Sequence, residues 1–500
     1  MPYVLGVHLG TSTTSAAVMG RNGGRWTPAT PFPLGATRPD VPSVVARSPD
    51  GGYLAGEAAA AKQAESHEWG CSGFVSALGE DAPLLLGGEF VHAHRLAATM
   101  IEWVADQVAH RHGHPAEHIA VTHSSSWGAH RTHLLYLALA ELGLTDVTLL
   151  SEPLAVAVDY VTRQRVPNGG SIAVGNLGGS GSSAAVLRKD EPHDSDGVPG
   201  AARGPGSGLE FLGTPVESGE PAGSDLDDLV LERVRADFGD SVSRLDPAEP
   251  RDRGAAIRLR AECSKAKEEL SHRESSRVNV LLPASSGEVP LARAHYERLA
   301  RPYLEWLPEM LVQAIQSASL SPEDLEAVVL AGGPARTPLL RNLVQQRLYG
   351  TLPGLETIES PVRVDGSPEL VAARGAACWA AEALSAETDR AVAGAETSVL
   401  MRVGAGEDNS PSASSGEYDV DGAEAVIDDV SSDPTAEPPR PPVEVEPMHI
   451  ESPPQRKALK VVKLSLAALL IIFGLVMTVM QGFGGSQQPA LPGVMQQVGK

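Results

Sequence analysis

GVHLGTSTTS, residues Gly6–Ser15, has a near-copy 168 residues further on: VGNLGGSGSS, residues Val174–Ser183. Each lies between two short apolar runs. Tyr3–Val7 and Thr14–Met19 flank the first, and Ser171–Val174 and Ala184–Leu187 flank the second. Strand, Gly/Ser/Thr-rich turn, strand is the pattern of a hairpin. Glycine lets a backbone approach a ligand closely, so such a turn can direct several N–H groups and hydroxyls at a phosphate. Neither turn ends in Gly-Lys-Ser/Thr, and neither reads GxGxxG, so a Walker loop and a Rossmann turn are excluded. One turn alone is an ordinary hairpin. Two in matching settings predict a duplicated fold that clamps phosphates between its halves. A third glycine turn, in AVVLAGGPARTPLL (Ala327–Leu340), follows a strand and opens a helix, where a backbone can lie flat against a nucleoside.

Alternating strands and helices continue around these turns to about residue 385. Helical spacing of Leu96, Met100, Trp103, Val104 and Val108 predicts a helix over Phe90–Arg111. Further helices are expected over Ala129–Leu142, Ser224–Arg235, Arg251–Glu274, Pro338–Leu348 and Ser367–Leu384. Arg293–Ser319 is expected to break near Pro302 and Pro308. Ile119–Thr122 and Val147–Leu150 are strand candidates, and Arg188–Leu209 is an expected exposed loop.

Composition bounds the partners. The 500-residue chain carries a net charge of −23, which excludes a general nucleic-acid binder, since that function needs a basic surface. Thirteen Asp and Glu against the single Arg440 fall within Gly404–Gln455. That stretch is rich in Ser and Pro, with too little apolar surface to offset ordering entropy. The three cysteines, Cys71, Cys263 and Cys378, have no metal-ligand spacing, and a reducing compartment suits them. His110, His112, His114 and His118 read as a solvated turn between a helix and a strand, and no metal site is expected.

Leu464–Met480 is apolar apart from Ser465 and Thr478. With Val461 and Val462, and with Lys463 snorkelling, it is long enough for a ~30 Å hydrocarbon core at ~1.5 Å per residue. Arg456, Lys457, Lys460 and Lys463 precede it, and no cation follows before Lys500. The basic side stays in the cytoplasm. No signal peptide is expected at Met1. The predicted organisation is therefore a cytoplasmic domain at 1–385, an acidic linker at 386–456, a transmembrane helix at 461–480 and a short extracytoplasmic tail at 481–500. The predicted localisation is the cell membrane, single-pass.

In its order of motifs the chain resembles the nucleotide-binding domain of the 70-kDa heat-shock (DnaK-type) chaperones. The two turns resemble that family's two phosphate loops. VTHSSSWGAHR (Val121–Arg131) with LLSEPLAVAVDYV (Leu149–Val161), and SPELVAARGAA (Ser367–Ala377), resemble its connecting segments. IRLRAECSKAKEELS (Ile257–Ser271) resembles its adenosine-side helix, and LAGGPARTP (Leu330–Pro338) its adenosine loop. The resemblance implies an α/β actin-like ATPase fold of two lobes around a nucleotide cleft. It implies ATP or ADP as ligand, with Gly10, Thr11, Ser12, Thr13, Gly178, Gly179 and Ser180 at the phosphates. Lys267 and Ser271 match contacts to ribose and base, and Gly332, Gly333 and Arg336 match a loop whose arginine stacks on adenine. Glu152 keeps the catalytic carboxylate.

Departures concentrate at the hydrolytic end. His8 and Asn176 stand where the family has aspartates, Ser183 replaces another, and Val75-Ser76-Ala77 holds no lysine before Leu78-Gly79. Ser264 and Glu268 depart from an acid and an arginine in the adenosine-side helix, whereas Glu369 keeps an acid. Mg²⁺ prefers carboxylates or their waters, so this is a poor donor set for it. No stretch after Leu384 reads as a β-rich peptide-binding domain. The expected function is a membrane-anchored, chaperone-family ATP-binding protein with weak or absent ATPase activity. It would act as a nucleotide-dependent scaffold for an unknown protein partner. The alternatives are an active, slow ATPase chaperone at the membrane and a membrane-tethered actin-like cytoskeletal protein.

Overall fold

A computed structural model of the chain describes residues 1–48, 50–190, 208–350 and 360–386. The chain divides between Asn409 and Ser410 into two units, and every described residue lies in the first. The expected linker, membrane span and tail lie outside the described residues, apart from residue 386. Among the described residues, no helix is long and apolar enough to cross a membrane.

Two central sheets carry the fold, and their strands are labelled in chain order. The first holds β1 (Tyr3–Leu9), β2 (Thr13–Asn22), β3 (His118–His123) and β4 (Val147–Ser151), in the order β4-β3-β1-β2. Short strands at Arg25–Trp26, Thr30–Phe32 and Val41–Pro42 pair with β2. The second sheet holds β5 (Ser171–Leu177), β6 (Ser182–Lys189), β7 (Leu209–Ser218), β8 (Leu325–Ala331) and β9 (Val362–Val364). Its order is β9-β8-β5-β6-β7. In each sheet an antiparallel hairpin, β1-β2 or β5-β6, is extended on one side by two parallel strands.

The duplication reaches individual residues. His8 pairs with Ser15 across the first hairpin, as Asn176 pairs with Ser183 across the second. Gly10 donates its N–H to Thr13 O at 3.1 Å, and Gly178 donates to Gly181 O at 2.8 Å. Both turns therefore close in the same way, and the 168-residue offset predicted from sequence holds throughout.

Helices cover the sheets. The first lobe has α1 (Gly56–Glu65), α2 (Ala93–His112) and α3 (Ala129–Glu141). On α2, Leu96, Met100, Ile101, Val104 and Val108 form one buried stripe that packs with Leu5, Val7 and Val121. This helix starts at Ala93, not Phe90. Phe90 lies on the strand Glu89–Val91, opposite Leu85 in a small hairpin, and is exposed. The apolar spacing ran back across a segment that pairs as a strand. The second lobe has α5 (Gly223–Ser243), α6 (Pro250–Leu270), α7 (Arg293–Leu304), α8 (Trp306–Ser317) and α9 (Pro338–Tyr349). The expected break falls at Glu305, between α7 and α8. Arg188 and Lys189 belong to β6 and Leu209 to β7, so strand replaces the expected loop at both ends, and residues 191–207 lie outside the described residues.

Two helices join the lobes. One is α4 (Glu152–Arg163), which touches strands of both sheets. The other, α10, begins at residue 371, later than the predicted Ser367, and runs to residue 386. Its Ala373, Ala376 and Ala377 pack with Val4 and Ala120 of the first sheet, and its Val371 and Ala372 pack with Ile172 and Val329 of the second. Small residues are required here. A Cβ on Gly375 would fall 1.7 Å from Ala155 O on α4, and one on Gly6 would fall 2.2 Å from Ala377 N. A ring of charges, buried at Asp159 and Arg374, fastens the crossing. Arg374 donates to Asp159 (2.9 and 3.1 Å) and to Asp365 (3.2 Å), and Arg163 donates to the same two carboxylates at 2.7 Å.

The histidine cluster is not one solvated turn. His118 is buried on β3 and bonds Thr148 Oγ1 at 2.7 Å. The rings of His112 and His114 lie against Tyr3.

Candidate functional site

Both hairpin turns face one cleft of about 450 Å³, within the range of small-molecule sites. The first turn lines it from His8 to Thr13 and the second through Asn176 and Gly178–Ser183. Gly332 and Gly333, between β8 and α9, close a further side with Glu369. The turn tips meet: Ser12 Oγ and Ser180 Oγ are 2.9 Å apart. Among the described residues, the backbone N–H groups of Thr11, Ser12, Gly179 and Ser180 donate to no protein acceptor. Four unused donors at two turn tips form a site suited to an anion.

The floor of the cleft holds Glu152, the first residue of α4. Its Oε1 is 3.5 Å from His8 Nε2, and His8 Nδ1 is 2.8 Å from Thr122 Oγ1. Burial pushes the Glu152 carboxyl above the ordinary range. His8 opposes the shift, the charge of Glu217 adds to it, and the Asn176 amide opposes it. A buried carboxyl raised in this way is suited to accept a proton nearer neutrality than a free one.

Glu217, on β7, is a site residue that sequence reasoning missed. Ser124 Oγ donates to it at 2.6 Å, Ser126 N donates at 3.0 Å, and Ser125 Oγ donates as well. Burial pushes this carboxyl up, but the three serines outweigh burial and hold it below the ordinary range. His123, Trp127 and Arg131 complete that wall. The run Ser124–Ser126 after a strand is a turn signal that marks this wall. Nothing local marks Glu217.

Residues expected at the adenosine divide between two pockets. Gly332 and Gly333 line the cleft, whereas Ser271 and Arg336 line a second pocket of about 220 Å³. Glu369 accepts a two-bond fork from Arg336, Nε at 3.0 Å and Nη2 at 2.7 Å. The fork fixes the guanidinium plane through its edge and leaves its faces free for stacking. Lys267 lines neither pocket. Its ammonium lies 2.8 Å from Asp227 and donates to Gly223 O at 3.1 Å, tying α6 to α5. The departure at Glu268 has a partner in the other lobe, because Arg38 Nη1 donates to both its oxygens and the same guanidinium holds buried Asp40.

The donor set suits Mg²⁺ poorly, because His8 and Asn176 offer a nitrogen and a neutral amide where a hard cation prefers carboxylates. Each carboxylate lining the cleft already has a protein partner: His8 for Glu152, serines for Glu217 and Arg336 for Glu369. Among the described residues, no cluster of three or more His, Cys, Asp and Glu could hold a metal ion. The two turns and the Gly332-Gly333 backbone do fit a nucleotide: four unpaired N–H groups, with room beside them.

Two duplicated α/β lobes, each opening on an equivalent hairpin turn over one cleft, define the actin-like ATPase class of fold. The profile of the Hsp70 protein family matches residues 74–388, more than half of the chain. The chain belongs to the Hsp70 family. The chaperone protein DnaK of Elusimicrobium minutum (strain Pei191) is 27% identical over 353 residues, covering 69% of this chain and 54% of that protein. DnaK of Endomicrobium trichonymphae is 26% identical over 356 residues (70% and 54%). DnaK of Cenarchaeum symbiosum (strain A) is 26% identical over 356 residues (69% and 50%). The chain spans about half the length of these relatives.

Proposed function

We propose that this Hsp70-family chain is a nucleotide-dependent scaffold, anchored by residues 461–480 with its large domain on the cytoplasmic face of the membrane. The domain takes up ATP or ADP and hydrolyses ATP weakly or not at all. A nucleotide-sensitive surface recruits a protein partner without peptide capture. One observation carries this reading: among the described residues, the cleft keeps four unpaired turn amides for phosphates while offering no lysine and no carboxylate without a protein partner. Binding rests on backbone groups, which side-chain replacement leaves in place. Hydrolysis needs charge stabilisation at the transferring phosphoryl group, and that is what the replaced side chains no longer supply. Arg336, held edge-on by Glu369, presents a face to the base. The acidic linker and the apolar segment after it support the tether, and the four basic residues before that segment support its orientation.

The full-length chain in detergent, titrated calorimetrically with ATP and ADP, should bind both with little change when Mg²⁺ is chelated. Absence of binding would remove the nucleotide from the proposal. Deleting 461–480 should move the protein from the membrane fraction to the soluble fraction, and retention at the membrane would refute the anchor.

A slow ATPase is the second reading, favoured by the raised carboxyl of Glu152 beside His8. Here Glu152 takes a proton from the attacking water. ATP turnover above background that disappears in Glu152→Gln would establish it over the scaffold reading.

A further inference from the structure

We propose that Arg131 is the phosphate-facing cation of the cleft, reaching nucleoside di- and triphosphates from α3. This rests on the nucleotide reading above. Among the described residues three glutamates line the cleft, Glu152, Glu217 and Glu369, and no lysine does. Arg336 matches Glu369 and burial raises the Glu152 carboxyl, so Glu217, held by serines alone, is the carboxylate whose charge a polyphosphate meets unless a cation faces it.

Among the described residues Arg131 is the arginine lining the cleft, which Val75, Ser76 and Trp127 line as well. Among the described residues its guanidinium makes no hydrogen bond or ion pair, and its backbone N–H is already satisfied by Gly128 O. The other cations considered for this region are engaged. Arg336 is held by Glu369, Lys267 by Asp227, and Arg38 by Asp40 and Glu268.

Its path into the cleft is built. The stem of Arg131 crosses the turn at Gly79, which has φ 90°. A Cβ on Gly79 would stand 2.6 Å from Arg131 Cγ and 3.1 Å from its Nε. The chain thus has no side chain where the arginine stem lies. A planar guanidinium with five donors is matched to two phosphate oxygens at once, and among the described residues none of these donors is satisfied.

The test measures ATP, ADP and adenosine affinities by calorimetry on the full-length chain, for wild type, Arg131→Gln and Arg131→Lys. Circular dichroism and the thermal midpoint verify that each variant is folded. Loss of one charge-assisted contact should weaken ATP binding of Arg131→Gln about 10- to 100-fold. ADP should weaken less, adenosine should be unchanged, and Arg131→Lys should recover part of the loss. Raising the salt concentration should weaken ATP binding of wild type more steeply than that of Arg131→Gln. Nucleotide binding with an ATP-to-adenosine ratio unaltered in Arg131→Gln would overturn the assignment and leave the nucleotide reading standing. Failure of the wild type to bind ATP or adenosine would overturn both.

Discussion

Ser12 Oγ and Ser180 Oγ lie 2.9 Å apart, so the two equivalent turns touch at equivalent residues. In the proposed nucleotide complex, a phosphate chain seated between the turns would part this pair and take over both hydroxyls. The pair is exposed and uncharged, worth about 1 kcal/mol or less. The double variant Ser12→Ala, Ser180→Ala should bind a fluorescent ATP analogue with an association rate up to about 5-fold faster than wild type, read by stopped flow. An unchanged or slower rate would show that the hydroxyl pair is not a barrier to entry.

Glu217 ties the β7 edge of the second lobe to the Ser124–Ser126 turn of the first. Its carboxyl is held below the ordinary range, so its contribution to stability is complete above that range. The contribution is lost as pH falls through the folded value. Glu217→Gln should therefore lower stability at pH 7 by about 1–2 kcal/mol, a figure discounted for its partial exposure. The gap from wild type should close as the solution is acidified below pH ~4. Chemical denaturation at a series of pH values reads it, and a gap that widens on acidification would contradict the assignment.

Glu152 has the opposite sign. Its folded carboxyl is raised, so between the ordinary carboxylate value and the folded one the native state keeps a proton that the unfolded chain releases. Stability from this group falls as pH rises through that window. Glu152→Gln should thus have a higher thermal midpoint than wild type at pH 7, and the advantage should shrink toward pH 4. A variant less stable at every pH would mean that the His8 contact outweighs burial.

The twin turns were legible because their chemistry is local. Gly, Ser and Thr between two apolar runs specify a hairpin, and a constant offset of 168 residues exposes the duplication. The break between α7 and α8 was legible through Pro302 and Pro308. Side chains that converge only in the folded chain were not. Glu217 lies 91 to 93 residues from the serines that hold it. Arg131 gains its meaning from a glycine in a different turn. Lys267 was read from its helix alone, and its pairing with Asp227 on α5 is not visible in that local pattern. Phe90 failed for a related reason: an apolar strand next to a helix continues the helical spacing by coincidence, and pairing with Leu84–Leu86 decides the matter.

The ring at the crossing of α4 and α10 gives the sharpest stability prediction. Asp159 is almost wholly buried, Arg374 nearly so, and together with Asp365 and Arg163 they leave no charge unmatched. Removing one member strands its partner in a poorly solvated place. Asp159→Asn should therefore cost about 3–5 kcal/mol, and Arg374→Met a similar amount. Removing both should cost clearly less than the sum, because neither charge is then left alone, and the remaining Arg163–Asp365 pair reaches solvent. A double-mutant cycle by urea denaturation measures the difference, with a coupling of at least about 1 kcal/mol expected. Simple additivity would mean that Asp159 and Arg374 act separately. The consequence reaches past stability. Both helices touch both sheets, so the ring fastens the crossing that links the lobes on either side of the cleft. The doubly substituted chain should remain folded yet exchange nucleotide faster than wild type. An unchanged exchange rate in a chain that shows the coupling would confine the ring to holding the fold.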